Sequence, residues 1–225
     1  MKVFELFIGK HLFIVLAFIC FQAKSQNLIP NGNFESTVAP LAYDKKVTSI
    51  KFSEYWGNYS NGFLCYHSID SNKSCGYSRV AVYNPWSKDS RSYLQNKLIR
   101  PLEKGESCYF KIMVNPDGKY YCNRFSILLL KDSLDIIQNK LIELQPTLEF
   151  NSNYFIKNGG EWELLSGYFI AQGGEQFIII GNFYPDRKTY LKRNRRKTYS
   201  VRTEVYIDNC ELYGSFIKQE STFSH

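Results

Sequence analysis

The residue types that most often carry out catalysis are sparse in this sequence of 225 residues. It contains three histidines, at positions 11, 67 and 225, and none has the His-Glu-x-x-His spacing of a zinc protease. The Gly-x-Ser-x-Gly turn of serine hydrolases and a glycine-rich phosphate loop are also missing. A carboxylate pair for glycoside hydrolysis could be drawn from Glu161, Glu163 and Glu175, but the first two alternate as solvent-facing residues of a strand. We therefore predict a protein that is not an enzyme.

Two turn-like segments carry large aromatic side chains among polar residues, a composition typical of surfaces that contact sugars. The first segment contains Trp56, Asn58 and Tyr59, and the second contains Tyr83 and Trp86. An aromatic ring can stack on the apolar face of a pyranose, and loops often carry such contacts. We predict these five residues as ligand contacts, and a place in the hydrophobic core is the alternative for Trp56.

The most unusual charge pattern is a run of Lys and Arg residues without any acid between positions 187 and 202. Six of its members are candidates for anion contacts: Arg187, Lys192, Arg193, Arg195, Arg196 and Lys197. Such a loop could bind lipopolysaccharide phosphates, acidic polysaccharide or nucleic acid. A solvated loop is the alternative, and nucleic acid is not expected as a partner of an exported protein.

The first 25 residues have the organisation of a secretory signal peptide. Lys2 and Lys10 precede an apolar stretch at residues 12–21, and small residues stand before a predicted cleavage site at Gln26. A ten-residue apolar stretch is too short to span a bilayer, which takes about 20 residues. We therefore predict an exported protein, one domain at residues 26–225 and no transmembrane segment in the mature chain.

Export allows disulfide bonds, and five cysteines remain after residue 25. Cys65 and Cys75 bracket a polar loop and are the predicted pair. Cys108 and Cys122 flank a turn, so a second bridge across a hairpin is possible there, whereas Cys210 lies in an apolar strand and is predicted to be a buried free thiol. Cys-x-x-Cys spacing is absent, which disfavours a zinc or dithiol site.

The sequence pattern predicts that the elements positioning these residues are β-strands. Aromatic residues make up 16% of the chain, and their shape fits a pleated, half-buried surface. Strand-like runs occur at residues 107–114, 124–130, 162–171, 176–183 and 203–213. Turns at 115–118 and 172–175 predict two hairpins between the runs that they join. Trp162 is expected in the core, and residues 133–144 fit a short helix or an irregular strand. Together the runs predict an all-β antiparallel sandwich.

Several of these stretches resemble a known family. Residues 27–35 (NLIPNGNFE) and 206–212 (YIDNCEL) are similar to the first and last strands of galactose-binding-like jelly rolls, which include many carbohydrate-binding modules. Residues 93–102 and 162–183 resemble a branch found in exported proteins of Bacteroidota, often beside OmpA-type domains. The resemblance covers nearly all of residues 26–225 and implies a jelly-roll β-sandwich. No OmpA-type domain follows, so a cell-wall anchor is not implied.

The same resemblance implies a structural calcium ion where the first and last strands meet. It places Glu35 and Asp208 as side-chain ligands, with Asn33 and backbone carbonyls nearby. Carboxylates from strands distant in sequence suit Ca²⁺, which takes six to eight oxygen ligands. The alternative is that these side chains only cap strand ends.

These observations lead to two hypotheses about function. The first is an exported, non-catalytic binding module for carbohydrate or glycoconjugate. The second is an accessory subunit of an outer-membrane or secretion-related assembly, in which the same fold contacts a protein partner. The short tail after Tyr213 favours periplasmic or outer-membrane-associated residence over secretion into the medium.

Overall fold

The computed structural model describes residues 26–36, 55–58, 65–70, 73–135, 140–150, 161–193 and 202–214. These residues form twelve strands: β1 Trp56–Asn58, β2 Cys65–Asp70, β3 Lys73–Tyr83, β4 Leu94–Lys97, β5 Ser107–Asp117, β6 Tyr120–Cys122, β7 Phe125–Leu130, β8 Leu148–Phe150, β9 Glu163–Ile170, β10 Phe177–Gly181, β11 Leu191–Arg193 and β12 Thr203–Gly214. A short 3-10 turn, Asp186–Lys188, precedes β11. In the described part of the chain, no helix is long and apolar enough to cross a membrane.

The strands form two five-stranded antiparallel sheets and one small ribbon. The first sheet has the order β1-β4-β10-β7-β8, the second has the order β2-β3-β12-β5-β9, and β6 pairs with β11. The chain passes repeatedly from one sheet to the other, for example from β3 to β4 to β5 and from β8 to β9 to β10. This is a jelly-roll β-sandwich, so the predicted all-β fold class is confirmed.

The core lies between the two sheets, and its residues follow the strand periodicity. In β5 every second side chain is buried, including Cys108, Phe110, Ile112 and Val114, because successive side chains of a strand point to opposite faces. The central strands β7 and β10 of the first sheet are buried almost throughout. The buried Phe150 of edge strand β8 contacts the second sheet, since its ring centroid lies 5.9 Å from that of Phe110 in β5.

The predicted hairpins are wrong, although the strands they join are present. β5 continues through residues 115–117 and turns only at Gly118. The strand after it, β6, belongs to the ribbon with β11, and β7, the predicted hairpin partner, belongs to the opposite sheet. Likewise, β9 and β10 lie in different sheets, and the turn between them uses Gly173 and Gly174, which both have positive φ. Glycine turns of this kind build a corner between sheets as readily as a hairpin. The described parts of residues 133–144 form neither a helix nor a strand.

The first described residues lie beside the last strand. The amide of Leu28 donates to the carbonyl of Leu212 at 2.8 Å, and the amide of Cys210 donates to the carbonyl of Gly32 at the same distance. The Asn27 side chain joins both chains, since its Nδ2 donates to the Cys210 carbonyl and its Oδ1 accepts from the Leu212 amide. Residues 28–32 therefore lie alongside the part of β12 that extends beyond its last residue pair with β3.

We expect Gly32→Ala to destabilise this junction. An alanine Cβ would lie 2.0 Å from the carbonyl oxygen of Cys210, which is backbone and cannot rotate away. Overpacking of this kind costs about 2 kcal/mol of unfolding free energy. Chemical denaturation of the two proteins measures the loss. Ser87→Ala is the comparison, because this residue is exposed and surface substitutions usually change stability by less than about 0.5 kcal/mol. An unchanged denaturation midpoint for Gly32→Ala would contradict the junction described above.

The cysteine predictions have mixed outcomes. Cys65 pairs with Ser78 and Cys75 with Ser68, so the two Cα positions are out of register by three residues, or about 10 Å along the strands. A disulfide joins Cα atoms that are at most about 7 Å apart, and this register therefore contradicts the Cys65–Cys75 bridge.

The other three cysteines are free and buried: Cys108, Cys122 and Cys210. The alternative bridge between Cys108 and Cys122 is therefore wrong, and the buried thiol at Cys210 is confirmed. Burial raises the pKa of Cys108 to about 12 and that of Cys122 to about 11. These thiols stay protonated at neutral pH and are structural rather than reactive.

Candidate functional site

Three tyrosines form one row across the outward surface of the second sheet. In the strand register, Tyr213 of β12 is paired with Tyr109 of β5, and Tyr109 is paired with Tyr168 of β9. Their neighbours in sequence point into the core, so the three side chains share the outer side. Because neighbouring strands are separated by about 4.8 Å, the row spans about 10 Å from β12 to β9. We call this outward surface of β12, β5 and β9 the tyrosine face.

Tyr168 is the exposed ring of this row, whereas Tyr109 and Tyr213 are half-buried. The centroids of Tyr109 and Tyr168 are 4.7 Å apart with an interplanar angle of 35°, and 74% of Tyr168 is exposed. The Tyr213 hydroxyl donates to the carboxylate of Glu211. That hydrogen bond, followed by burial, raises the pKa of Tyr213 to about 12. The row therefore presents an uncharged aromatic surface, and the hydrogen bond to Glu211 holds the Tyr213 ring in place.

A polar row lies next to the tyrosines. Glu211 of β12 is opposite Lys111 of β5, which is opposite Ser166 of β9. Lys111 Nζ is 2.9 Å from the Glu211 carboxylate and 5.9 Å from the centroid of the Tyr213 ring. These half-buried charges hold each other in place beside the aromatic row, where they can donate to and accept from hydroxyl groups.

A second aromatic cluster closes the other end of the tyrosine face. The Tyr77 ring lies edge-on to Tyr206 at 5.5 Å and to Trp162 at 6.0 Å. Trp162 is 38% exposed, so its predicted place in the core is wrong. Although Trp162 directly precedes edge strand β9, its indole reaches Tyr77 on β3, and the chain at this point covers one end of the sheet. Behind the cluster, Arg79 forms a 2.6 Å ion pair with Glu204.

The structure places one of the predicted loop contacts in the core and another on the surface. Trp56 is buried, stacks on Phe34 at 4.8 Å and donates its indole N–H to the carbonyl of Asn31. It is a core residue, and the ligand role predicted for it is wrong. Tyr83 is half-buried, whereas Trp86 is 67% exposed. The Asn58 side chain and the whole of Tyr59 lie outside the described residues.

A buried arginine holds the loop that carries Trp86. The side chain of Arg91 is fully buried, and its Nη2 donates to the Tyr184 carbonyl at 2.9 Å and to Asp186 Oδ1 at 2.8 Å. The Asp186 amide donates to Asp89 Oδ1 at 2.6 Å, and the Asp89 amide donates to Asp186 Oδ2 at 3.0 Å. This network joins residues 84–91 to residues 182–190. It therefore positions the loop that carries Trp86 and the start of the basic run.

Three of the six predicted anion contacts in the basic run lie among the described residues. Arg187, Lys192 and Arg193 all lie on the surface, and the latter two belong to β11, which pairs with β6. Arg195, Arg196 and Lys197 lie outside the described residues.

The two carboxylates implied as calcium ligands lie within electrostatic reach of each other. Burial raises the pKa of Asp208 to about 6, and the charge of Glu35 contributes to this rise, while a hydrogen bond from the Asn209 amide opposes it. Asn33 and Glu35 are exposed. Among the described residues, no group of three or more His, Cys, Asp or Glu side chains could hold a metal ion. A cation between these carboxylates would therefore complete its shell with backbone carbonyls and water.

Of the carboxylates considered for hydrolysis, Glu175 has a structural role. Glu175 is buried, and its oxygens accept the amides of Gln172 at 2.6 Å and Gly173 at 2.8 Å. Its role is to fix the corner between β9 and β10. Glu161 is exposed and Glu163 is half-buried at the start of β9.

The tyrosine row was missed at the sequence level, although a signal for it exists. Tyr109 and Tyr168 occupy the solvent-facing positions of strands whose other positions are apolar. An aromatic residue at an outward position of an amphipathic strand is a candidate contact. Their alignment could not be read from the sequence, because it depends on the pairing of strands distant in the chain.

No known protein family matches the chain, and no curated protein is significantly similar to it. Similar solved structures include TmCBM61 in complex with β-1,4-galactotriose (12% identity, 85% of this chain and 100% of that chain, TM-score 0.43). Another is the N-terminal cellulose-binding domain of β-1,4-glucanase C from Cellulomonas fimi (11% identity, 79% and 98% covered, TM-score 0.41). A third is the enzymatically active domain of bacteriophage CBA120 tailspike protein 4 (9% identity, 84% and 21% covered, TM-score 0.43). The chain thus spans about a fifth of that tailspike domain. All three TM-scores are low, and the fold assignment rests on the strand order and registers.

Proposed function

We propose that this protein is a non-catalytic carbohydrate-binding module and that the glycan lies on the tyrosine face. The observation that carries the proposal is the row of Tyr213, Tyr109 and Tyr168 on three neighbouring strands. Its rings are exposed enough to stack on pyranose faces, and the row is long enough for more than one sugar ring. Since the row is built on strands rather than loops, its geometry is fixed before the ligand binds.

The polar groups beside the row support a sugar rather than a purely apolar ligand. Lys111 and Glu211 offer a donor and an acceptor at 2.9 Å from each other, in the row adjacent to the rings. Ser166 adds a hydroxyl on the edge strand, opposite Lys111. A ring that stacks on an aromatic face carries its hydroxyl groups at the rim, where such side chains can orient it.

A panel of soluble neutral polysaccharides tests this function. β-glucans, xylans, mannans and galactans are cast into native gels, and the migration of the purified protein is compared with that in a gel without polysaccharide. Retardation by at least one of these polymers supports the proposal. Unchanged migration in all of them, at polymer concentrations that retard known binding modules, would contradict it.

A protein partner is the second candidate function, and one observation favours it. Leu164 and Ile170 are exposed on either side of Tyr168 along β9, which is an edge strand of its sheet. Exposed apolar side chains on an edge strand suit docking of another chain. Affinity purification from the native source separates the two functions: a stoichiometric membrane-associated protein, recovered without glycan retention in the gels, supports this alternative.

We further propose that the protein works outside the cytoplasm, in the periplasm or at the outer membrane. The support is the sequence of residues 1–25, with its basic start and apolar stretch. N-terminal sequencing of the protein from its native source gives Gln26 as the first residue under this proposal, whereas an intact Met1 would contradict it.

We also propose that Glu35 and Asp208 hold a structural Ca²⁺, with Asn33 beside them. The supporting observation is the electrostatic coupling of the two carboxylates at the junction of residues 27–36 with β12. At calcium concentrations of about 10 to 100 times Kd, binding adds about 1.4–2.7 kcal/mol of stability. For a domain of this size that raises Tm by about 3–10 °C.

Differential scanning calorimetry in excess chelator and in millimolar CaCl₂ measures this shift. Asp208→Asn is expected to abolish it, and Asp132→Asn, which changes an exposed acid elsewhere, is expected to retain it. Identical melting curves with calcium and with chelator would show that the protein has no stabilising calcium site.

A further inference from the structure

One end of the sandwich presents cations without exposed acids. It is formed by the described segments 83–89, 117–124, 184–193 and 202–204. Six of its basic side chains are exposed: Lys88, Lys119, Arg187, Lys188, Lys192 and Arg193. The segments are in direct contact, because β6 pairs with β11 and the Tyr83 ring lies edge-on to Tyr120 at 6.5 Å. We call this surface the basic end.

Each acid of these segments is at least partly buried and engaged by the protein itself. Glu204 is paired with Arg79, and Asp186 is paired with Arg91. Asp89 accepts the Asp186 amide, and Asp117 accepts the Gly118 amide. The exposed cations are therefore not neutralised by acids of the same surface, and their field extends into solvent over about a Debye length.

Three aromatic rings of the basic end lie beside a cation or another ring, while Trp86 and Tyr190 stay 67% and 64% exposed. The Arg202 guanidinium lies 5.8 Å from the centroid of the Trp86 ring, and Lys119 Nζ lies 5.9 Å from that of Tyr120. Tyr83 meets Tyr120 edge-on at an angle of 81°. Proteins that bind single-stranded nucleic acid stack successive bases on open aromatic faces. Exposed rings stack on pyranose faces as well as on bases, and the fixed positive charge attracts carboxylate or sulfate groups. Because the same domain carries the tyrosine face that we propose for glycans, an acidic polysaccharide is the polymer that fits this surface, and this inference rests on that proposed function.

We propose that the basic end is a second binding surface, specific for acidic polysaccharide. Exposed Lys119 and Arg193 contact the anionic groups: Lys119 adjoins Tyr120, and Arg193 is paired with Tyr120 across the ribbon. The Tyr120 ring, 5.9 Å from Lys119 Nζ, restricts the rotamers of that lysine. This surface consists of residues other than those of the tyrosine face, so a glycan with both neutral and acidic stretches can engage both surfaces.

Binding of the full mature protein to immobilised dextran sulfate and polygalacturonate tests this surface, with neutral dextran and poly(dT) as comparators. We expect both acidic polymers to bind and neutral dextran not to bind. Affinity should fall at least about tenfold between about 50 and 200 mM NaCl, because counterion release contributes to it. The double variant Lys119→Glu/Arg193→Glu should weaken binding to the acidic polymers at least about tenfold.

The matched control is Lys104→Glu/Lys131→Glu, which makes the same change of charge on exposed lysines at the glycine corner. It should retain most of the affinity, and thermal melts should show that both double variants are folded. Equal losses in the two double variants would overturn the proposal by showing attraction to net charge alone. Tighter binding of poly(dT) than of both acidic polysaccharides would overturn it in favour of nucleic acid. Failure of either kind leaves the tyrosine face untouched, because that face is tested with neutral glycans.

Discussion

Tyr168→Ala is expected to reduce the affinity for the retained neutral glycan by about 30-fold. Truncation of a central aromatic contact costs about 2 kcal/mol or more, and each 1.4 kcal/mol is a tenfold change in affinity. Tyr168 is the most exposed ring of the row and packs on Tyr109 at 4.7 Å, so its loss removes stacking surface at the edge strand. Isothermal titration calorimetry with an oligosaccharide of the retained polymer measures the change.

Two further variants make this result specific. Tyr168→Phe keeps the ring and should stay within about threefold of the original affinity, since stacking depends on the face of the ring rather than on its hydroxyl. Tyr190→Ala removes a similarly exposed tyrosine, 64% exposed, that follows the 3-10 turn rather than lying on the tyrosine face, and it should bind normally. If Tyr168→Ala and Tyr190→Ala bind equally well, the glycan does not lie on the tyrosine face.

Arg91→Met is expected to be the most destabilising of the substitutions considered. Removing one partner of a buried ion pair costs about 3–5 kcal/mol, and the partial exposure of the Asp186 side chain, 26%, places this case near the lower value. The substitution also leaves the Tyr184 carbonyl without the guanidinium that donates to it. At about 2–4 °C per kcal/mol for a domain of this size, Tm should fall by about 6–12 °C.

Arg187→Met provides the comparison, because this neighbouring arginine is exposed and surface substitutions usually change stability by less than about 0.5 kcal/mol. A double-mutant cycle with Asp186→Asn isolates the pairwise contribution, which should be at least about 1 kcal/mol. Equal melting temperatures for Arg91→Met and Arg187→Met would show that the arginine does not hold the two loops together.

The local features of this fold could be predicted because they depend on neighbouring residues. Alternation at residues 107–114 identifies the buried side of β5, and the aromatic content favours strands over helices. The hairpins could not be predicted, because a glycine turn leads to a corner or to a hairpin with the same residues. The outcome depends on where the predicted partner strand lies, and in both cases that strand, β7 or β10, belongs to the opposite sheet.

The binding surfaces show the same division. Trp56 and Trp162 have similar chemistry, yet the first is buried against Phe34 and the second is exposed beside Tyr77. The sequence predicts a ligand contact for Trp56, with the core as the alternative, and a place in the core for Trp162. The tyrosine row depends on two registers, β12 with β5 and β5 with β9, and on the irregularity between Asp208 and Glu211 in β12. A shift of one residue in any of these pairings would turn a tyrosine into the core, and no local pattern encodes that alignment.

The measurement that tests the central claim most directly is nuclear magnetic resonance of the protein with its tyrosine and tryptophan rings isotopically labelled, titrated with the oligosaccharide that binds. If the glycan lies on the tyrosine face, the ring signals of Tyr109, Tyr168 and Tyr213 shift during the titration, and those of Trp86 and Tyr190 stay in place. If the signals of Trp86 shift and those of the three tyrosines do not, the glycan binds at the loops and the account of the tyrosine face is wrong.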